Sequence, residues 1–436
     1  MKNKRRDFLK MSGLAGLSIA GSNVAAFSAA ITSREPKAAI STRETNSHTA
    51  TDMNDQQELS IIGGYGAWAA SLTENKIPSL SYRNNKYTTL APWRDEARKK
   101  LIERMGIPDL GAMPTVTVRK QYTYDGLHIE ELTWQLPYGR PTEAILLKPA
   151  NANGPLPGIL GFHDHGGNKY LGTRKITRTS DNISPVVQAH YNESYEGRPW
   201  ANEVAKRGYV VLVSDAFPFA SRRVMMQDLP PAFRNGLTDD NPEKAENIKA
   251  YNDWAGQHEH TMAKSLFSAG TTWPGVFFAE DQKALDILCA RKDVDPKRVG
   301  CAGLSGGGMR TVFMGGLDDR IKCAICVGFM TTWKDFILHK SYTHTWMTYV
   351  PILPNELDFP EILGLRVPSA TMVLNDIHDD LYTLDEMKRA DAILAEVYKK
   401  ANATDHYKSA YFPGPHKFDV AMQQEAFAWF DKWLKA

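Results

Sequence analysis

Cysteine is scarce in this chain: Cys289, Cys301, Cys323 and Cys326 are the four thiols in 436 residues. So few excludes a disulfide framework, and the core must come from apolar burial instead. Cys323 and Cys326 lie in the apolar run Ile321 to Val327, where strand spacing turns them to opposite sides and excludes a redox C-x-x-C pair. All four read as small buried apolar residues, with a Cys289 to Cys301 bridge as the pairing that an oxidising compartment would permit. An excess of charge is missing too: the net is +2, and nothing points to nucleic acid. There is no internal repeat. A secure membrane span is also lacking, because the apolar stretch Met11 to Ala30 is weak and interrupted by Gly and Ser.

What is present begins with a hydrophobic content of 42%, enough to bury a large core. At the N-terminus, Lys4-Arg5-Arg6-Asp7-Phe8-Leu9-Lys10 followed by small apolar residues to Ala30 reads as a twin-arginine export signal. Residues 1–30 are therefore expected to be the signal, residues 31–58 a polar linker rich in Ser, Thr and Asn, and residues 59–436 one domain. Twin-arginine export implies a prokaryotic source, passage through that export machinery as a folded protein, and a periplasmic or secreted destination.

Residues 60–112 read as a helical wrap ending in an amphipathic stretch, Trp93 to Met105. Between Thr115 and Leu147 the pattern alternates as antiparallel strands do, at 116–118, 132–134 and 144–147. After Gly158 the rhythm becomes strand, helix, strand, which predicts a doubly wound, mostly parallel sheet. Its strands are expected near 158–163, 208–214, 299–304, 322–328, 368–374 and 408–412, with insertions at about 170–195, 220–270 and 330–360. Asp293 to Arg298 reads as a polar turn.

Gly303-Leu304-Ser305-Gly306-Gly307 sits where an apolar strand turns into a helix, and it fits G-x-S-x-G, the nucleophile elbow. A serine on so tight a turn takes a strained backbone, and glycines two before and two after it remove side chains that would collide. At the helix N-terminus the Gly306 amide would face an oxyanion. A nucleophilic serine needs a base and an orienting acid. His416, in Pro413-Gly414-Pro415-His416, lies between the last strand and the last helix. Asp376, Asp379 and Asp380 follow the strand at 368–374, and some of them must be loop-capping residues.

The second oxyanion donor is expected from Phe162-His163-Asp164-His165-Gly166-Gly167, with the His165 amide preferred and Asp164 and Gly166 as neighbours. His163 with His165, and His258-Glu259-His260, also suggest metal pairs. Neither has the helical i, i+4 spacing or the further ligands of a zinc motif, so no metal and no cofactor is expected.

These residues, in the order Ser305, Asp379, His416, resemble the α/β-hydrolase superfamily, and within it its bacterial acetyl xylan esterase-like and dienelactone hydrolase-like branch. The resemblance covers about residues 90–436 and is also carried by Val211 to Phe217 and Val294 to Gly300. It implies the α/β-hydrolase fold, with Ser305 as nucleophile, His416 as base and Gly306 with His165 as oxyanion hole. It favours Asp379 as the acid, because Asp380-Leu381-Tyr382-Thr383 matches the stretch that usually follows that residue; Asp380 is the alternative. Dienelactone hydrolases carry cysteine at the elbow, and serine here favours esterase chemistry. The expected substrate is a short acyl ester, such as acetate, on a polysaccharide. A serine peptidase on the same fold and a non-catalytic carbohydrate-binding protein are the rivals. Trp200, Trp254, Trp273, Trp333 and Trp346 lie in or beside the insertions; filling the core is their commoner use, and stacking on sugar the other. Asp215 with Arg222 and Arg223 reads as turn chemistry, or as a charged pair touching substrate.

Overall fold

The computed structural model describes residues 59–73 and 76–435; the expected export signal and linker lie outside them. Nine strands form one sheet: β1 (Thr117–Tyr124), β2 (Leu127–Trp134), β3 (Thr142–Pro149), β4 (Leu156–Phe162), β5 (Val210–Ser214), β6 (Val294–Leu304), β7 (Ile321–Val327), β8 (Ala370–Asp376) and β9 (Tyr407–Phe412). Their spatial order is β1-β2-β3-β5-β4-β6-β7-β8-β9. The first three pair antiparallel, as β3 does with β5, and all pairings from β5 to β9 are parallel. The central strands are buried on both faces, which is why β5 and β8 read as unbroken apolar runs; β1, at the edge, is largely exposed.

Two expectations need correction. The first strands are longer than the alternating triplets suggest, because Asp125 and Gly126, both at positive φ, close a tight hairpin that carries β1 into β2. β6 begins at Val294, inside the stretch read as a turn, since Val294 and Asp295 pair with Leu156 and Pro157 before a register shift.

One face of the sheet packs Cys301, Ala324 and Cys326 against Met309, Phe313 and the helix Leu90–Met105. That helix buries Trp93, Ala97, Leu101 and Met105, the stripe that makes it a wrap on the core. The other face packs Ala302, Cys323 and Ile325 under the helices Trp200–Lys206 and Val420–Leu434. Cys323 and Cys326 thus face opposite sides. All four thiols are free, so Cys289 and Cys301 are not bridged. The insertions carry the helices Pro185–Tyr195 and Ala245–Ser268 and a series of short turns over 333–355. Because β4 to β9 run parallel, the loops after β4, β6, β8 and β9 gather at one edge of the sheet, where such folds place their ligands.

Candidate active site

β6 ends at Leu304 and the helix Gly306–Leu317 starts at once, leaving Ser305 as the hinge at φ 58° and ψ −123°. A non-glycine residue in such a conformation costs roughly 1–3 kcal/mol and persists only where its surroundings enforce it. Here the Ser305 amide donates to Val327 O at 2.9 Å, and its own carbonyl accepts from the Met309 amide at 2.9 Å. The flanking glycines answer to close backbone approach. A Cβ on Gly303 or Gly307 would lie 2.6 or 2.3 Å from Phe162 O.

His416 comes from the loop after β9 to the strand end beside this serine. Gly328 follows the carbonyl that holds the Ser305 amide, and a Cβ on it would come within 2.9 Å of His416 Cε1. The imidazole therefore packs against the strand end that fixes the serine. Its Nδ1 lies 2.6 Å from Asp379 Oδ2, while Nε2 is buried without a partner among the described residues. Burial alone would lower the histidine pKa. The Asp379 hydrogen bond and charge, with further negative charge from Asp376 and Asp164, more than reverse this and leave it raised. Asp379 is buried and Asp380 exposed, with the Asp380 carbonyl accepting from Lys340 Nζ at 2.6 Å. The geometry therefore pairs Asp379 with the imidazole.

The loop after β4 meets the elbow from the other side. A Cβ on Gly306 would lie 3.0 Å from the His165 amide nitrogen, so the two amides are neighbours. Sequence reasoning missed what aims them. Lys175, fully buried, donates from Nζ to Asp164 O at 2.7 Å and to His165 O at 2.8 Å. In a trans peptide the N–H points away from the preceding carbonyl. Tying down Asp164 O therefore turns the His165 N–H to the opposite side of the peptide, away from Lys175. His163 Nδ1 donates to the same carbonyl at 3.0 Å, and its Nε2 accepts from the Ala216 amide at 3.2 Å, which defines a neutral ring. Burial pushes the Lys175 pKa down to about 8 despite the nearby Asp164 carboxylate. A buried lysine in the polar run Thr173-Arg174-Lys175 carries no local signal of this role.

Glu259 binds the second half of the loop. Its Oε1 accepts from His165 Nε2 at 2.8 Å and Lys169 Nζ at 2.5 Å, and its Oε2 from Thr345 Oγ1 at 2.7 Å and the Trp346 amide at 3.2 Å. One buried carboxylate so joins the loop after β4, the helix Ala245–Ser268 and the insertion at 330–360. The metal pairs considered from sequence do not assemble. His258 stacks on Trp254 at 4.7 Å, His260 is exposed, and His163 and His165 spend both ring nitrogens on protein partners. Asp215 and the following arginines are no pair either. Asp215 accepts from the Thr173 and Ser221 amides, Arg222 binds Glu280 at 2.7 Å, and Arg223 stands over the Tyr170 ring. A cavity of about 450 Å³ adjoins them, lined by Arg119, Arg140, Arg174 and Arg223, and neither Ser305, Asp379 nor His416 reaches it.

His344, another residue that sequence reasoning passed over, seals the acid side. Its Nε2 donates to Leu381 O at 3.0 Å, and its ring packs between Phe336 and Tyr382 with centroids 4.7 and 4.9 Å away. Burial pushes its pKa down to about 4, so it is neutral beside the Asp379–His416 pair.

A family model described as the prolyl oligopeptidase family matches residues 267–436. A Bacillus subtilis protein named "Putative hydrolase YtaP" is 26% identical over 345 residues, spanning 78% of this chain and all of that protein. Among solved structures, a Bacteroides fragilis protein named "putative acetyl xylan esterase" superposes with a TM-score of 0.58 at 17% identity, over 80% of this chain and 82% of its own. A glucuronoyl esterase from Solibacter usitatus does so at 0.56 and 14%, over 83% and 99%. The chain has the α/β-hydrolase fold.

Proposed function

We propose that this protein is a serine carboxylic-ester hydrolase that removes short acyl groups, acetyl above all, from a carbohydrate. The observation that carries the reading is His416, bound through Nδ1 to buried Asp379 and left with a buried, unpartnered Nε2 beside the strained Ser305. His416 takes the Ser305 proton as Oγ attacks the ester carbonyl, and Asp379 stabilises the imidazolium. The Gly306 and His165 amides bind the tetrahedral oxyanion. Collapse expels the alcohol, which takes the proton back from His416; water then repeats the sequence on the acyl-enzyme. The fold shared with acetyl xylan and glucuronoyl esterases supports an ester substrate on a sugar, by analogy.

The decisive test is p-nitrophenyl acetate hydrolysis by wild type and Ser305→Ala. The variant is expected to stay folded and lose on the order of 10⁴–10⁶ in kcat; near-normal turnover overturns the nucleophile. We assign export to the twin-arginine signal at residues 1–30, which places the enzyme in the periplasm or outside the cell; replacing Arg5 and Arg6 by lysine should trap it in the cytoplasm on fractionation.

The prolyl oligopeptidase match favours a second reading, peptide cleavage by the same triad. Against it, every strand among the described residues belongs to the one sheet, so no propeller stands over the site there. A peptide p-nitroanilide cleaved faster than the acetate ester would choose the peptidase.

A further inference from the structure

Four of the five tryptophans in or beside the insertions fill the core. Trp200, Trp254, Trp273 and Trp333 are at most 5% exposed, whereas Trp346 is 41% exposed and Tyr342, four residues earlier, 72%. Burying a large apolar side chain stabilises a fold, so two rings left in water forgo that gain. They are also held still. Lys340 Nζ donates to Asp380 O at 2.6 Å, Thr343 Oγ1 to Leu381 O at 3.1 Å and His344 Nε2 to Leu381 O at 3.0 Å, all immediately after Asp379. At the other end, Thr345 and the Trp346 amide bind Glu259, the carboxylate that holds His165. The segment 340–346 therefore runs from the loop of Asp379 to the carboxylate that holds His165, and Tyr342 and Trp346 are its exposed rings.

We infer that Tyr342 and Trp346 form the subsite for a pyranose ring on the alcohol side of the ester, an assignment that rests on the esterase reading above. Exposed rings on a rigid, hydrogen-bonded segment present flat apolar faces at low entropic cost, which suits the C–H face of a sugar. The side chains between them, Thr343, His344 and Thr345, are spent on Leu381 O and Glu259, so they fix the segment and leave the two rings as its exposed apolar faces. Binding energy gained there, away from the reacting carbonyl, orients the ester against Ser305.

The experiment compares kcat/KM on acetylated xylo-oligosaccharides with that on p-nitrophenyl acetate, for the full chain and for Tyr342→Ala, Trp346→Ala, Tyr342→Phe and Trp346→Phe. Both side chains are exposed, and unchanged melting temperatures verify that the variants fold. The ratio of the two kcat/KM values is expected to fall at least tenfold in each alanine variant, mainly through KM, and to recover in the phenylalanine variants. An esterase whose ratio moves less than twofold, or which leaves the oligosaccharide untouched, overturns the subsite while the triad stands. A wild type that neither hydrolyses p-nitrophenyl acetate nor takes a fluorophosphonate label on Ser305 overturns the esterase reading and the subsite with it.

Discussion

Asp379 and Asp380 are adjacent in sequence, yet one is buried 2.6 Å from an imidazole and the other is exposed. Asp379→Asn should cost on the order of 10⁴ in kcat, because the amide disrupts the ring's tautomer and orientation and removes the anion that stabilises the imidazolium. Asp380→Asn should stay within about twofold, since the Lys340 contact uses its backbone carbonyl. Steady-state kinetics on p-nitrophenyl acetate separates the two. The same residues shape the pH profile. As the proposed base, His416 can work only when neutral, and its pKa is raised, so activity should climb through a pKa above the ordinary histidine value of about 6.5. Lys175 holds the proposed oxyanion loop as a cation, and burial pushes its pKa down to about 8, so activity should fall again above that pH. A kcat/KM profile flat from pH 5 to 9 would contradict both assignments.

At the scale of elements, glycines separate by what surrounds them. Gly307 lies where backbone meets backbone, and Gly307→Ala should destabilise by several kcal/mol, about 3 or more, or abolish folding, because Phe162 O cannot move without shifting β4. Gly256, inside the helix Ala245–Ser268, has open space around its α-carbon, and Gly256→Ala should stabilise by about 0.5–1 kcal/mol. Urea titration of the two variants reads both effects. The same contrast explains what was legible beforehand. The strand-turn-helix around Ser305 announces itself through local glycine spacing, and β4 to β9 through apolar runs and their following helices. The Asp125-Gly126 hairpin carried an equally local signal that the alternating triplets obscured. Lys175, Glu259 and His344 were not legible, because each acts through partners that only the fold brings near. Glu259 in particular reads as the middle of a metal-like His258-Glu259-His260 run, although its neighbours on the helix point elsewhere.

For the whole molecule, the carboxyl that matters near neutrality is Asp376, three residues before the proposed triad acid. It is fully buried; one oxygen accepts from the Lys417 amide at 3.0 Å, and the other lacks a partner among the described residues. Burial, partly offset by that hydrogen bond and by His416, pushes its pKa up to about 7. Unfolding returns it to about 3.9, so between those values the folded state holds more protons and loses stability as pH rises. His416, also raised, adds a loss of the same sign as pH climbs from about 6.5 through its folded pKa. Buried His163, His165 and His344 act in the opposite direction, but only below about 6.5, where the unfolded chain protonates them first. The melting temperature should therefore decline between pH 6.5 and 8. Asp376→Asn, which can still accept from the Lys417 amide, should raise it by a few degrees at pH 8 and by less at pH 5. The variant also removes a negative charge facing His416, so the acid limb of its kcat/KM profile should move to lower pH. Calorimetry and the pH profile test one cause from two sides: an equal melting shift at both pH values, with an unmoved acid limb, would mean that Asp376 is already ionised at pH 5 and does not couple the fold's stability to the proposed base, His416.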